Sequence, residues 1–115
     1  MAETFNTASQ AVTSSETLLY TAPSGDSADV AIMLSLRITN VDGAADDTIT
    51  ANIYQSDGTT KKASIAYTLD VLQDTSVELA GTSKIVLESG EQVKLQGGAA
   101  SGDLEAYLSV LEITV

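Results

Sequence analysis

Residues 29–40 read DVAIMLSLRITN, and from Val30 onward the side chains fall into two interleaved sets. Val30, Ile32, Leu34, Leu36 and Ile38 make one set; Ala31, Met33, Ser35, Arg37 and Thr39 make the other. Successive side chains of a strand point to opposite faces, so this alternation predicts a central strand whose aliphatic face meets a core. Ile32, Leu34 and Leu36 are the expected centre of that core.

The same period continues on both sides. Residues 18–22 form a short strand that Pro23 ends, because proline removes a ladder donor. After a turn at Asp42 and Gly43, Ile49, Ala51 and Ile53 alternate with Thr48, Thr50, Asn52 and Tyr54. Asp57-Gly58 then predicts a tight type I′ hairpin. The return strand places Ala63, Ile65, Tyr67 and Leu69 on one face, with Lys62, Ser64, Ala66 and Thr68 opposite. Three shorter pieces follow, carried by Val77 with Leu79, Ile85 with Leu87, and Val93 with Leu95. The closing strand alternates at Leu104, Ala106, Leu108 and Val110, then changes phase to Leu111, Ile113 and Val115, which predicts a bulge or a crossing between sheets.

About eight strands result, with turn signals at roughly ten-residue spacing and no helical period anywhere. The expected fold class is all-β: an antiparallel β-sandwich, jelly-roll or immunoglobulin-like. Residues 1–15 are rich in Thr, Ser, Ala, Asn and Gln and read as an N-terminal arm; residues 16–115 read as a single β-sandwich domain. The arm is either a frayed terminus or a segment that docks Phe5 on a neighbour.

Composition excludes much chemistry. The 115 residues include no cysteine and no histidine, so thiol nucleophiles, zinc ribbons, the usual neutral-pH base and every Ser-His relay are absent. Five basic against sixteen acidic residues give a charge of −11, a field that repels phosphate backbones and anionic headgroups, so neither nucleic acid nor membrane is an expected partner. The longest apolar run, 30–34, is far short of the roughly 20 residues that span a bilayer, and the first ten residues show no export signal.

Few constellations could carry function. Asp42, Asp46 and Asp47 share one short loop and are either a cation site or a solvated acidic tip; Asp26 and Asp29 pose the same choice. Some of the sixteen acids will face each other at glycosidase distance by chance, but no tryptophan-lined sugar cleft is indicated. Tyr20, Tyr54, Tyr67 and Tyr107 either form a ligand surface or fill and edge the core. Gly97, Gly98 and Gly102 make no phosphate loop, since no helix follows to receive an anion. No catalytic, metal or cofactor residues are therefore assigned. The candidate partner contacts are Phe5 and Val12 on the arm and the adjacent pair Lys61 and Lys62.

Three segments carry a resemblance: TLLYTAPSGDSADVAIMLSLRITNVDG, the TITANIYQSDGTT hairpin, and SKIVLESGEQVKLQGGAASGDLEAYLSVLEI. Together they resemble small β-sandwich virion proteins of tailed bacteriophages. The matching steps are Tyr20 to Pro23, Ile38 to Asn40, Leu87 to Gln96 and Leu104 to Ile113. The resemblance implies a non-enzymatic structural part of the particle, either a head decoration (cement) protein on the major capsid protein or a tail- or fibre-associated module that binds a receptor or glycan. It also implies a symmetric homo-oligomer, with a trimer favoured, on the head surface of the virion.

Overall fold

The computed structural model describes residues 1–98 and 103–115. Residues 99–102, within the glycine-rich loop read above, lie outside the described residues. Nine strands are described: β1 (Ala2–Val12), β2 (Thr17–Thr21), β3 (Val30–Asn40), β4 (Asp47–Tyr54), β5 (Lys61–Val71), β6 (Ser76–Glu78), β7 (Val86–Leu87), β8 (Gln92–Gly97) and β9 (Leu104–Thr114). They form two antiparallel sheets. The first has the order β1-β9-β3-β6, with β7 also on β3; the second has the order β2-β8-β4-β5. First pairs with last, second with eighth, third with the sixth and seventh, and fourth with fifth. This wrapped order is that of a jelly roll, which settles the choice against an immunoglobulin-like one.

The core between the sheets is aliphatic, as the alternation predicts: Ile49, Ala51 and Ile53 from β4, Val93 and Leu95 from β8, and Leu104, Ala106, Leu108 and Val110 from β9 are buried. Burial of such side chains supplies the main driving force, about 1.5–3 kcal/mol each.

Strand β3 departs from expectation. Ala31 and Met33 are fully buried, whereas Ile32 and Leu34 are only partly so; Leu36 and Ile38 return to the core. The register to β9 shifts between Met33 and Ser35, so a bulge turns the strand over midway. The Glu78 carboxylate holds the bulge. Its Oε2 accepts the N–H of Leu36 at 2.8 Å, of Gly81 at 3.0 Å and of Ala80 at 3.1 Å, and Oε1 accepts the Ser35 hydroxyl. Burial pushes the Glu78 carboxyl up, but these donors outweigh it and hold it below its ordinary value. A Cβ on Gly81 would come within 2.9 Å of the Glu78 Cγ, so the loop wraps the carboxylate closely only because glycine stands there.

Strand β9 runs straight where a bulge or crossing is expected. Its pairing with β1 is unbroken from Leu104 to Thr114, and the apolar residues after Val110 simply occupy the other face. The hairpin after β4 also differs from a type I′ turn. Only Gly58 has positive φ, the Gly58 N–H closes on the Gln55 carbonyl at 2.9 Å, and Asp57 accepts the N–H groups of Thr59 and Thr60. A carboxylate that collects its turn's donors thus replaces a second left-handed residue.

The expected arm is for most of its length the edge strand β1, paired with β9 from Ala2 to Val12. Its far end is stitched to the second sheet, where Gln10 donates to the Leu18 carbonyl, Gly97 to that of Thr13 and Gln96 to that of Ser14.

Candidate functional site

The register across the first sheet aligns four side chains on its outer face. Phe5 lies opposite Leu111, Leu111 opposite Ile32, and Ile32 opposite Val86. Phe5 is 76% exposed and Val86 53%, with Leu111 and Ile32 partly buried between them. Val30 and Ile113 face each other in the adjoining row. An apolar stripe therefore crosses all four strands at one end of the sheet. At the other end the same face is polar, and Ser9, Arg37, Thr39, Glu105 and Tyr107 rim a shallow depression of about 280 Å³.

Of the expected partner contacts, Phe5 stands in this stripe and Lys61 is exposed at the start of β5. Val12 is fully buried and belongs to the core, a correction that follows from the β1–β9 pairing, which turns the even residues of β1 inward. Lys62 is committed internally: its Nζ lies 2.7 Å from Glu91 and 3.1 Å from Glu88, tying β5 to the loop before β8. Those hydrogen bonds hold its ammonium above its ordinary value. The stripe partners Leu111, Ile32 and Val86 were not among the expected contacts. The signal for them was the phase change in the closing strand, since two apolar sets on one straight strand mean that both faces are apolar.

The tyrosines do not form one surface. Tyr20 is buried, donates to Glu112 and is pushed well above the usual tyrosine range by burial and that carboxylate. Tyr54 donates to Glu16 at 2.8 Å and lies under the Lys94 ammonium, 4.4 Å from its ring centroid. Tyr67 and Tyr107 are exposed on different sheets.

The acidic loops are occupied with their own backbone. Asp42 accepts the Ala44 N–H, Asp46 that of Gln73, and Asp47 Oδ1 those of Thr48 and Gly98, while the buried Asp47 Oδ2 has no partner among the described residues. Asp29 is buried and accepts from Asp26 and Val115. Among the described residues, no three acidic side chains converge on a point where a metal could sit. Asp57 is held at about 2 by the Thr60 and Thr59 donors, and Glu78 is also lowered. A general acid needs a shift in the opposite direction. What the geometry offers is contact, through an apolar stripe and a free sheet edge.

No family model matches the chain, and no curated protein matches it. Among solved structures it is similar to a chain from work described as "Bacillus endospore appendages form a novel family of disulfide-linked pili", with a TM-score of 0.60 and 12% identity over 99% of this chain and 88% of that one. At that identity the likeness concerns the fold.

Proposed function

We propose that the chain is a non-enzymatic structural subunit of a virus particle, a capsid decoration (cement) protein that binds the major capsid protein and stabilises the head. The observation that carries the reading is the apolar stripe of Phe5, Leu111, Ile32 and Val86, aligned in one row across four strands of the first sheet. Contiguous exposed apolar surface on a small soluble domain marks a contact site. The resemblance to phage virion proteins supplies the particle, and it favours a trimer at local three-fold positions. Incubating purified protein with heads that lack it, and counting bound copies, tests this. Saturation at a repeated lattice site is expected; binding at the unique vertex, or to tails alone, overturns it.

A fibre or filament subunit is the second reading, favoured by the pilus description of the structural neighbour. Without cysteine, this chain would have to polymerise by non-covalent contacts. Filaments growing from purified protein, with no binding to heads, would support it.

A further inference from the structure

Alternate residues of an antiparallel strand direct both main-chain groups to one neighbour, and the residues between them direct theirs to the other. In the second half of β3, Leu36 and Asn40 use theirs away from β9: the Leu36 carbonyl accepts from Leu79, its N–H goes to Glu78, and Asn40 donates to Thr75. Arg37 and Thr39 must then bond to Tyr107 and Glu105, their partners on β9. The even residues of β9 are left for β1, where Leu108 meets Ala8 and Ala106 meets Gln10. It follows that Glu3, Phe5, Thr7 and Ser9 turn their N–H and C=O groups to the open edge. The Thr7 N–H agrees, since it is taken by the neighbouring Asn6 side chain at 2.9 Å.

We infer that this edge pairs with the same edge of a second copy, antiparallel about a two-fold axis that sets Phe5 opposite the partner's Phe5. Three observations select the occupant. First, a long edge needs a long, regular edge to match it. Of the other described edges, β6 has three residues, β7 two and β2 five with a register shift, while β5 is interrupted by three register shifts. Only another β1 is both long and unbroken. Second, the chain carries −11, yet Glu3 is the sole charged side chain of β1, so two copies meet along this edge with little repulsion, whereas β5, the other eleven-residue edge, carries Lys61, Lys62 and Asp70. Third, the register joins the two apolar stripes end to end into a single stripe across both first sheets.

The pairing would run over residues 2–8, the part of β1 left free before Gln10 is held by β2. It would form about six main-chain hydrogen bonds between the odd residues, the Asn6 side chain giving up the Thr7 N–H in each copy. Glu3 then faces Thr7 of the other copy. The two Glu3 carboxylates stand four residues apart along the strands, about 14 Å, beyond the roughly 8 Å screening length at physiological salt. The inference rests on reading this face as a contact surface and is independent of the particle that it serves; a self-pairing edge joins two copies only, so this contact stands in place of the trimer that the resemblance favours.

The test uses the full chain and its freedom from cysteine. Sedimentation velocity across a concentration series should show a monomer–dimer equilibrium that tightens as salt is raised, because net charge opposes it. Thr7→Lys, facing Glu3 of the other copy, should tighten the dimer about 3-fold, and Thr7→Glu should weaken it by a similar factor. Under mild oxidation, Glu3→Cys mixed with Thr7→Cys should cross-link at least about ten times better than either variant alone. A chain that stays monomeric through the series overturns the inference, and head binding that persists in such a monomer would leave the decoration reading standing. Equal effects of Thr7→Lys and Thr7→Glu, or self-cross-linking of Thr7→Cys in place of the mixed pair, also overturn it.

Discussion

Strands β1 and β5 each run eleven residues along a sheet edge, β1 on the first sheet and β5 on the second. Their pairing is different in kind. β1 follows β9 without a shift, with no proline and one charge. β5 slips three times against β4, turns left-handed at Thr68, and carries Lys61, Lys62 and Asp70. Bulges, lysines and twisted backbone are the devices that keep sheet edges from adding further strands. The difference teaches that exposure alone does not make an edge available; regularity and lack of charge do.

The comparison can be broken most forcefully at the core, because the stripe beside β1 exists only if Ile32 points outward. Leu36→Ala should cost about 2–5 kcal/mol, through lost burial and a residual cavity. Ile32→Ala should cost about 1 kcal/mol or less, as expected away from the core. Equal shifts of the urea midpoint would mean that Ile32 belongs to the core and that β1 has no apolar stripe beside it.

The next largest contrast lies within β1. Ala8→Pro removes a donor that bonds to β9 and strands the Leu108 carbonyl, at a cost of about 2–4 kcal/mol. Thr7→Pro removes a donor that points to the open edge and should cost under about 1 kcal/mol while abolishing self-pairing. Thermal melts of the two variants, read beside their sedimentation, sharpen the assignment of the edge; similar melting losses would reverse it.

On the guarded side, Lys62→Ala leaves the buried Glu91 without its cation. A loss of about 1–2 kcal/mol is expected, moderated because the lysine itself is 40% exposed. Hydrogen exchange should quicken first near the start of β5, with β1 and β9 unchanged. Uniform quickening would show that the pair supports the whole sandwich.

Acid should act more weakly, through one carboxylate on each sheet. Asp57 is held at about 2 against an ordinary 3.8, and Glu78 is lowered from 4.5. A carboxyl lowered in the folded state contributes stability above its ordinary value and loses it as pH falls through the folded one. The melting temperature should therefore decline from about pH 4.5 toward 2, with a gentler slope in Asp57→Asn. A β4–β5 turn that holds its exchange protection at pH 2.5 would contradict this.

Much of the sandwich was legible in the chain itself. Period-two alternation located the strands, because burial of one face imposes that period locally, and the absence of histidine and cysteine removed whole classes of chemistry. Assigning Ile49, Ala51 and Ile53 to the core needed only their own neighbours. Which face of β3 is buried did not follow in this way. A straight reading put Ile32 and Leu34 in the core, but a bulge reverses the phase, and the carboxylate that holds it comes from Glu78, more than forty residues away in the chain. The candidate site was less legible still. Phe5 stood out as a lone aromatic, whereas its place beside Leu111, Ile32 and Val86 is a matter of register among four strands. Likewise, whether β1 is a frayed arm or an open edge depends on β9 at the far end of the sequence. Local physics determines where strands form and which side chains alternate; long-range hydrogen-bond pairing decides which strands are edges, where the phase breaks, and which apolar residues remain in contact with water.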